Sequence, residues 1–181
     1  MKELRTARLL LRQWRPGDLE AFAQLNADPE VMRYFPAPLS REASDDMADR
    51  CKALIAQRGW GFWAAEELAT GEFVGFIGLH TPAAELPFSP CVEVGWRLLR
   101  SRWGMGLATE GATASLNFAF QTLNLAEVVS FTSIHNLKSA AVMQRLGMKR
   151  DERTFAHPSV PHDHWLSEHS VYRLSAPRQS V

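Results

Sequence analysis

One segment constrains the fold of this chain more than any other. Val92–Leu98 reads as a strand, and a turn holding Gly104 and Gly106 follows it. A helix begins at once and runs from Leu107 to Leu123, with Leu107, Ala108, Ala112, Leu116, Ala119 and Leu123 along one side. The β-rich stretch Val128–Ile134 comes next. A strand–helix–strand unit of this kind asks for a parallel or diverging strand pair in the middle of the fold. Its turn also has a chemical consequence. Glycines let backbone approach a ligand closely, and the first amides of a helix suit a phosphate or pyrophosphate. Arg97, Arg100 and Arg102 fall within six residues of each other, so the segment reads as a local anion site. The plainer alternative is a glycine turn with solvated arginines.

The remaining periodicity surrounds this unit. Arg8–Trp14 reads as a first strand, with Asp18 capping a short helix through Leu19, Phe22 and Leu25. A second helix spans Ser40–Arg58, capped by Ser40 and stopped by Gly59. Phe62–Glu66 and Phe73–Leu79 form a hairpin around Ala69-Thr70-Gly71. Ser139–Leu146 is a short helix, and strands near Lys149–Phe155 and His169–Leu174 close the chain. The order predicts a mixed α/β (α+β) domain over residues 1–174, with a tail at 175–181. A chain of 181 residues fits one domain and buries roughly 70% of its unfolded surface.

Composition narrows the function. Lys+Arg and Asp+Glu are both 20, so the net charge is zero. That argues against a dedicated nucleic-acid binder, which needs excess cations. No apolar run is long enough to span a bilayer, and the N-terminus lacks an apolar signal core. Cys51 and Cys91 cannot build a disulfide framework and read as small buried hydrophobes. A cytoplasmic protein is expected, with no membrane or nucleic-acid partner. Among phosphate-binding loops, a Walker motif is missing its Lys-Ser/Thr. A dinucleotide fingerprint would put Gly at 109, where Thr109 stands, and too little chain remains for a doubly wound fold.

Trp103-Gly-Met-Gly-Leu-Ala108 resembles the acyl-CoA-binding signature of the GCN5-related N-acetyltransferase (GNAT) superfamily. Trp103 stands where the signature opens on Arg or Gln. That departure is usual in the branch of ribosomal-protein N-terminal acetyltransferases, whose string ends in Ala where this chain has Gly111. Thr6–Arg12, Asn136–Ser139 through Leu146–Met148, and Val171–Leu174 resemble the same branch in the same order.

The resemblance implies a GNAT fold: a mostly antiparallel sheet, flanked by helices, with a splayed parallel pair at the family's fourth and fifth strands. Acetyl-CoA would lie in that cleft, with no metal. The backbone at Val94 and Trp96 would pair with the pantetheine arm, and an amide there would face the thioester oxygen. Gly95 suits a bulge. Amides from Trp103 through Gly104, Met105, Gly106, Leu107 and Ala108 would hold the pyrophosphate, assisted by Arg102 or Arg97 and the Thr109 hydroxyl. Asn136 would contact the cofactor; otherwise it is a strand-end turn residue.

The implied reaction is direct attack of a primary amine on the thioester. Glu93, flanked by Val92 and Val94, is the candidate base; otherwise it is an outward Glu, with an Asp or Glu elsewhere, or a water chain ending at His80 or His135, in its place. Many family members protonate the leaving thiolate from a Tyr where this chain has Met143, so Ser139 is the candidate partner of the CoA sulfur, or else a helix cap. Tyr34 and Phe35 would line the amine pocket. His157, His162, His164 and His169 read as a structured loop before substrate contact or metal binding. The acceptor is a protein N-terminal α-amine or a small-molecule amine, and a homodimer is implied by resemblance only. The rival functions are a non-catalytic acyl-CoA-binding module and a dinucleotide-dependent oxidoreductase.

Overall fold

The computed structural model describes residues 2–177. In chain order the elements are β1 (Leu4–Arg5), β2 (Leu9–Arg12), α1 (Leu19–Ala27), α2 (Arg41–Arg58), β3 (Phe62–Glu67), β4 (Phe73–His80) and β5 (Glu93–Leu98). They continue with α3 (Leu107–Gln121), β6 (Glu127–Ser133), α4 (Leu137–Arg145), β7 (Lys149–Ala156) and β8 (Glu168–Ser175). All strands join one sheet in the order β1-β2-β3-β4-β5-β6-β8-β7. The β5–β6 pair is parallel and the others are antiparallel. This is the mixed α/β architecture expected from the sequence.

Helices cover both faces of the central strands, so β4 is buried along almost its whole length. Alternation sorts its side chains. Phe76 meets Phe22 of α1 at 6.0 Å between centroids. Ile77 faces α3, where a Cβ on Gly111 would fall on the Ile77 side chain. Gly111, which departs from the family string, therefore lets α3 approach the sheet. Gly78 leaves room for the Gly61 carbonyl of the neighbouring strand entry.

Several expected boundaries hold. Ser40 caps α2 by accepting from the Ala43 amide at 3.1 Å, and Gly59 ends it at φ 84°. Others shift. The first strand covers only Leu9–Arg12, and β1 pairs back onto it. Asp18 does not cap α1. Its buried carboxylate accepts two bonds from Arg12, each at 2.8 Å, and one from the Arg15 amide at 2.7 Å. Ion pairing outcompetes capping here because Arg12 is buried and needs a counter-charge. The tail expected from Ser175 meets β8, which includes Ser175, and the Ala176 amide donates to Ala126 O at 2.8 Å. Residues 178–181 lie outside the described residues. Among the described residues no helix is long and apolar enough to cross a membrane.

Candidate active site

The sheet opens at Glu93. There β5 and β6 make their sole register pair, Glu93 with Val129, beside a bond from the Val129 amide to Val92 O at 3.0 Å. Past it β5 stays with β4, residue for residue through Leu98 opposite Gly75. The Leu99 amide holds its end on that side, donating to Val74 O at 2.9 Å, and on the other edge Trp103 Nε1 donates to Leu98 O at 2.9 Å. The β6-facing edge of β5, at Val94 and Trp96, is thus left without a ladder partner, and an extended chain can pair with such an edge. The continuous β4–β5 register contains no bulge at Gly95. A Cβ at that position would press on the Phe62 ring at 3.1 Å, so packing accounts for this glycine.

The glycine turn stands beside this opening. Gly104 and Gly106 have φ of 74° and 78°, and Gly104, Met105 and Gly106 are exposed. Gly106 is the N-cap of α3 and has no side chain to accept from Leu107, Ala108 or Thr109. Those first-turn amides are available to an anion. The Trp103 amide is already used, donating to Arg100 O at 3.2 Å. The three arginines do not converge on the turn. Arg102 pairs with Glu67 at 3.1 Å and Glu72 at 3.0 Å. Arg100 is exposed, and Arg97 is buried on the opposite face. A strand's two-residue alternation sets Arg97 apart from residues that adjoin it in sequence.

Other cations reach the turn, and the sequence reading missed them. Arg8 donates to Met105 O at 2.8 Å and pairs with Glu110 at 2.7 Å. Glu110 also accepts from Thr6 Oγ1 at 2.6 Å and from the Arg8 amide at 2.8 Å. It clamps the first turn of α3 to the N-terminal hairpin, so two motifs a hundred residues apart form one joint. Lys138, at the start of α4, lies 4.3 Å from the Trp103 ring centroid. The signal for the clamp was present in Thr6–Arg8 and Glu110, yet spacing alone does not pair them.

Glu93 lies at the apex of the opening. Among the described residues no donor meets its carboxylate, and burial pushes its pKa up to about 8. His80 stands opposite it on β4 and stacks on Phe62 at 5.0 Å. Burial, then the charge of Arg58, lowers His80 to about 4, so it is neutral at pH 7. A carboxyl titrating near neutrality beside a neutral imidazole can exchange a proton with an incoming amine.

On the α4 side the helix starts two residues earlier than expected. Asn136 is its cap: Oδ1 accepts from the Ser139 amide at 3.2 Å, while Nδ2 donates to Thr132 Oγ1 at 3.0 Å and Ser139 Oγ at 3.1 Å. Asn136 thus serves the strand-to-helix turn. Ser139 is half-buried within the first turn, and its hydroxyl hydrogen has no acceptor among the described residues. Met143 is buried in the core, so that position offers no acid.

The face carrying Glu93 also carries the expected acceptor residues. Phe35 lies 4.2 Å from the Arg97 guanidinium, and Tyr34 lies 6.3 Å from Trp165. Trp165 also meets His135 at 5.4 Å. Of the four C-terminal histidines, His157 and His169 pack together at 4.9 Å in an aromatic cluster with Phe155. Among the described residues no group of His, Cys, Asp or Glu could hold a metal. Burial raises the Cys51 thiol to about 11, and burial followed by Glu93 raises Cys91, so neither is a poised thiolate.

Known proteins share this fold. A family model described as the acetyltransferase (GNAT) domain matches residues 8–149. An Aspergillus fumigatus protein named FsC-acetyl coenzyme A-N(2)-transacetylase is 34% identical over 167 residues, which cover 87% of this chain and 69% of that one. The crystal structure of an acetyltransferase from Agrobacterium tumefaciens is 33% identical with a TM-score of 0.77, covering 96% of this chain and 94% of that one. RimL, a ribosomal L7/L12 α-N-protein acetyltransferase in complex with coenzyme A, has a TM-score of 0.76 at 18% identity over 97% of this chain and 98% of its own, a likeness of fold. A match over most of the chain and a relative above 30% identity give one result: this protein belongs to the GNAT acetyltransferase family, a family of acyltransferases that use acetyl-CoA.

Proposed function

We propose that the protein acetylates a primary amine, a protein N-terminal α-amine or a small-molecule amine, by direct attack, with Glu93 as the general base. The observation that carries this reading is the unpaired Glu93 carboxyl, raised to about 8, at the apex of the split sheet. Its residues suit acetyl-CoA. The uncapped amides of Leu107, Ala108 and Thr109 match a pyrophosphate, with the exposed glycines allowing close approach. The free edge at Val94 and Trp96 matches a pantetheine amide chain. Arg102 is already held by two carboxylates, so backbone amides supply most of the anion contact. Acetyl-CoA supplies the activated acetyl carbon and a thiolate leaving group.

The chain's own groups do the rest. Glu93 in its carboxylate form takes the proton that the neutral amine nitrogen sheds as its lone pair bonds the thioester carbon and the C–S bond breaks. An amide of the β5 edge polarises the carbonyl oxygen. Ser139 donates its hydroxyl hydrogen toward the departing sulfur. A thiol near pKa 8.5 asks for little assistance, so loss of Ser139 slows turnover without abolishing it. Tyr34 and Phe35 border the acceptor.

Thiol release from acetyl-CoA across a panel of amines and peptides tests the reading. At least one acceptor should react, and Glu93→Gln should lower its rate by roughly 10²–10⁴-fold. Coenzyme A binding with no reactive acceptor, and no effect of Glu93→Gln on binding, would favour the non-catalytic module instead.

A further inference from the structure

We infer that the acceptor amine carries a carboxylate and that Arg97 binds it. This rests on the acetyl-transfer reading above and adds a substrate class to it. Arg97 is 9% exposed. Its Nη1 donates to Asn26 Oδ1 at 2.6 Å and lies 3.9 Å from Met47 Sδ. Its Nε is sealed from solvent and has no hydrogen-bond partner among the described residues. No carboxylate faces it among the described residues; Cys51, a neutral thiol at pH 7, is the sole titratable neighbour that acts on its charge.

Arg12 gives the contrast within the same chain. It is similarly buried, yet both Asp18 and Glu66 pair with it. A buried cation without a counter-ion is costly unless a ligand supplies one. The geometry of the guanidinium indicates which ligand. Phe35 and Phe76 lie 4.2 and 5.3 Å from it and occupy its π surface. Asn26 holds Nη1. The edge formed by Nε and Nη2 makes no hydrogen bond to a described residue, and a side-on pair of N–H donors is the fork that a carboxylate fits.

Its position relative to Glu93 sets the length of the acceptor. Four residues along one strand put both side chains on the same face, with α-carbons roughly 13 Å apart. Gly95 lies between them on that face without a side chain, and the Phe62 ring covers it. Phe62 stacks on His80 at 5.0 Å and meets Phe76 at 4.8 Å in a tilted contact, so the floor between base and cation is aromatic. An amine at Glu93, an apolar stem across Phe62 and a carboxylate at Arg97 describe an ω-amino acid or a short peptide. A polycationic acceptor would meet a like charge. Phe35 is 39% exposed, which leaves Arg97 one ring below the surface.

The test compares kcat/KM, read as thiol release, for ω-amino acids and dipeptides against their carboxamides. Wild type should prefer the carboxylate by about tenfold or more. Arg97→Gln should bring the ratio close to one. Asn26→Asp should do the same by placing a carboxylate on the guanidinium, in a side chain of the same shape that Ser44 can still hydrogen-bond. It carries the test if Arg97→Gln melts below the assay temperature. A wild-type ratio near one, or variants that keep the ratio while both rates fall, would overturn the inference and leave Arg97 a packing residue. No thiol release with either form of any acceptor would overturn acetyl transfer itself, and the carboxylate inference with it.

Discussion

Burial keeps the Glu93 carboxyl protonated at pH values where an exposed glutamate is ionised. Its ordinary value is 4.5 and its value in the fold is about 8. Between those limits the folded state holds a proton that the unfolded chain has lost, so folding stability falls as pH rises through this window. Glu93→Gln removes the titration. Its melting temperature should match wild type at pH 5 and exceed it at pH 9, and equal melting at both pH values would contradict the burial of that carboxyl. Glu93 was legible as a candidate because an acid between valines on a strand beside the glycine turn is unusual. Arg97 was legible only as a charge. Sequence proximity grouped it with Arg100 and Arg102, whereas strand alternation placed it with Glu93 on the α1–α2 side. Which helix covers which face depends on tertiary packing, and a single sequence does not state it.

In the proposed function, coenzyme A binding depends on the strand–turn–helix segment from β5 to α3. Gly106 sits at φ 78°, and a Cβ there would lie 3.5 Å from Arg8 Nη2. Valine at that position costs about 1–2 kcal/mol in backbone strain and fills the approach to the first-turn amides. Gly106→Val should raise the Kd for coenzyme A by about tenfold or more by calorimetry, while lowering Tm by a few degrees. Unchanged affinity would move the anion contact away from this turn. Most elements were readable because apolar periodicity and caps agreed, as at Ser40 and Gly59. The start of α4 was misplaced because Asn136 and Ser139 are both good caps, and the earlier one wins by bonding Thr132 on β6. The sole β5–β6 register pair was expected through the family resemblance. Strand propensity by itself would have predicted full pairing.

Across the whole molecule, zero net charge hides a sorted distribution. Arg8 and Lys138 border the glycine turn, and Arg97 lies on the opposite face without a carboxylate partner among the described residues. One sheet links both faces, so ligand binding at the cleft should stabilise the chain as a unit. At a coenzyme A concentration 100 times Kd the gain is about 2.7 kcal/mol, or roughly 5–10 °C in one melting transition. NADH should give no such shift; an equal shift with NADH would revive the dinucleotide reading. The most direct test of the account is the pH dependence of kcat/KM for acetyl transfer. It uses an acceptor whose own pKa lies well below 7, with wild type and Glu93→Gln compared. The wild-type rate should rise with pH and level off above about 8, and the variant should be slower by roughly 10²-fold and lack that step. A variant with wild-type rate and the same step near 8 would contradict it.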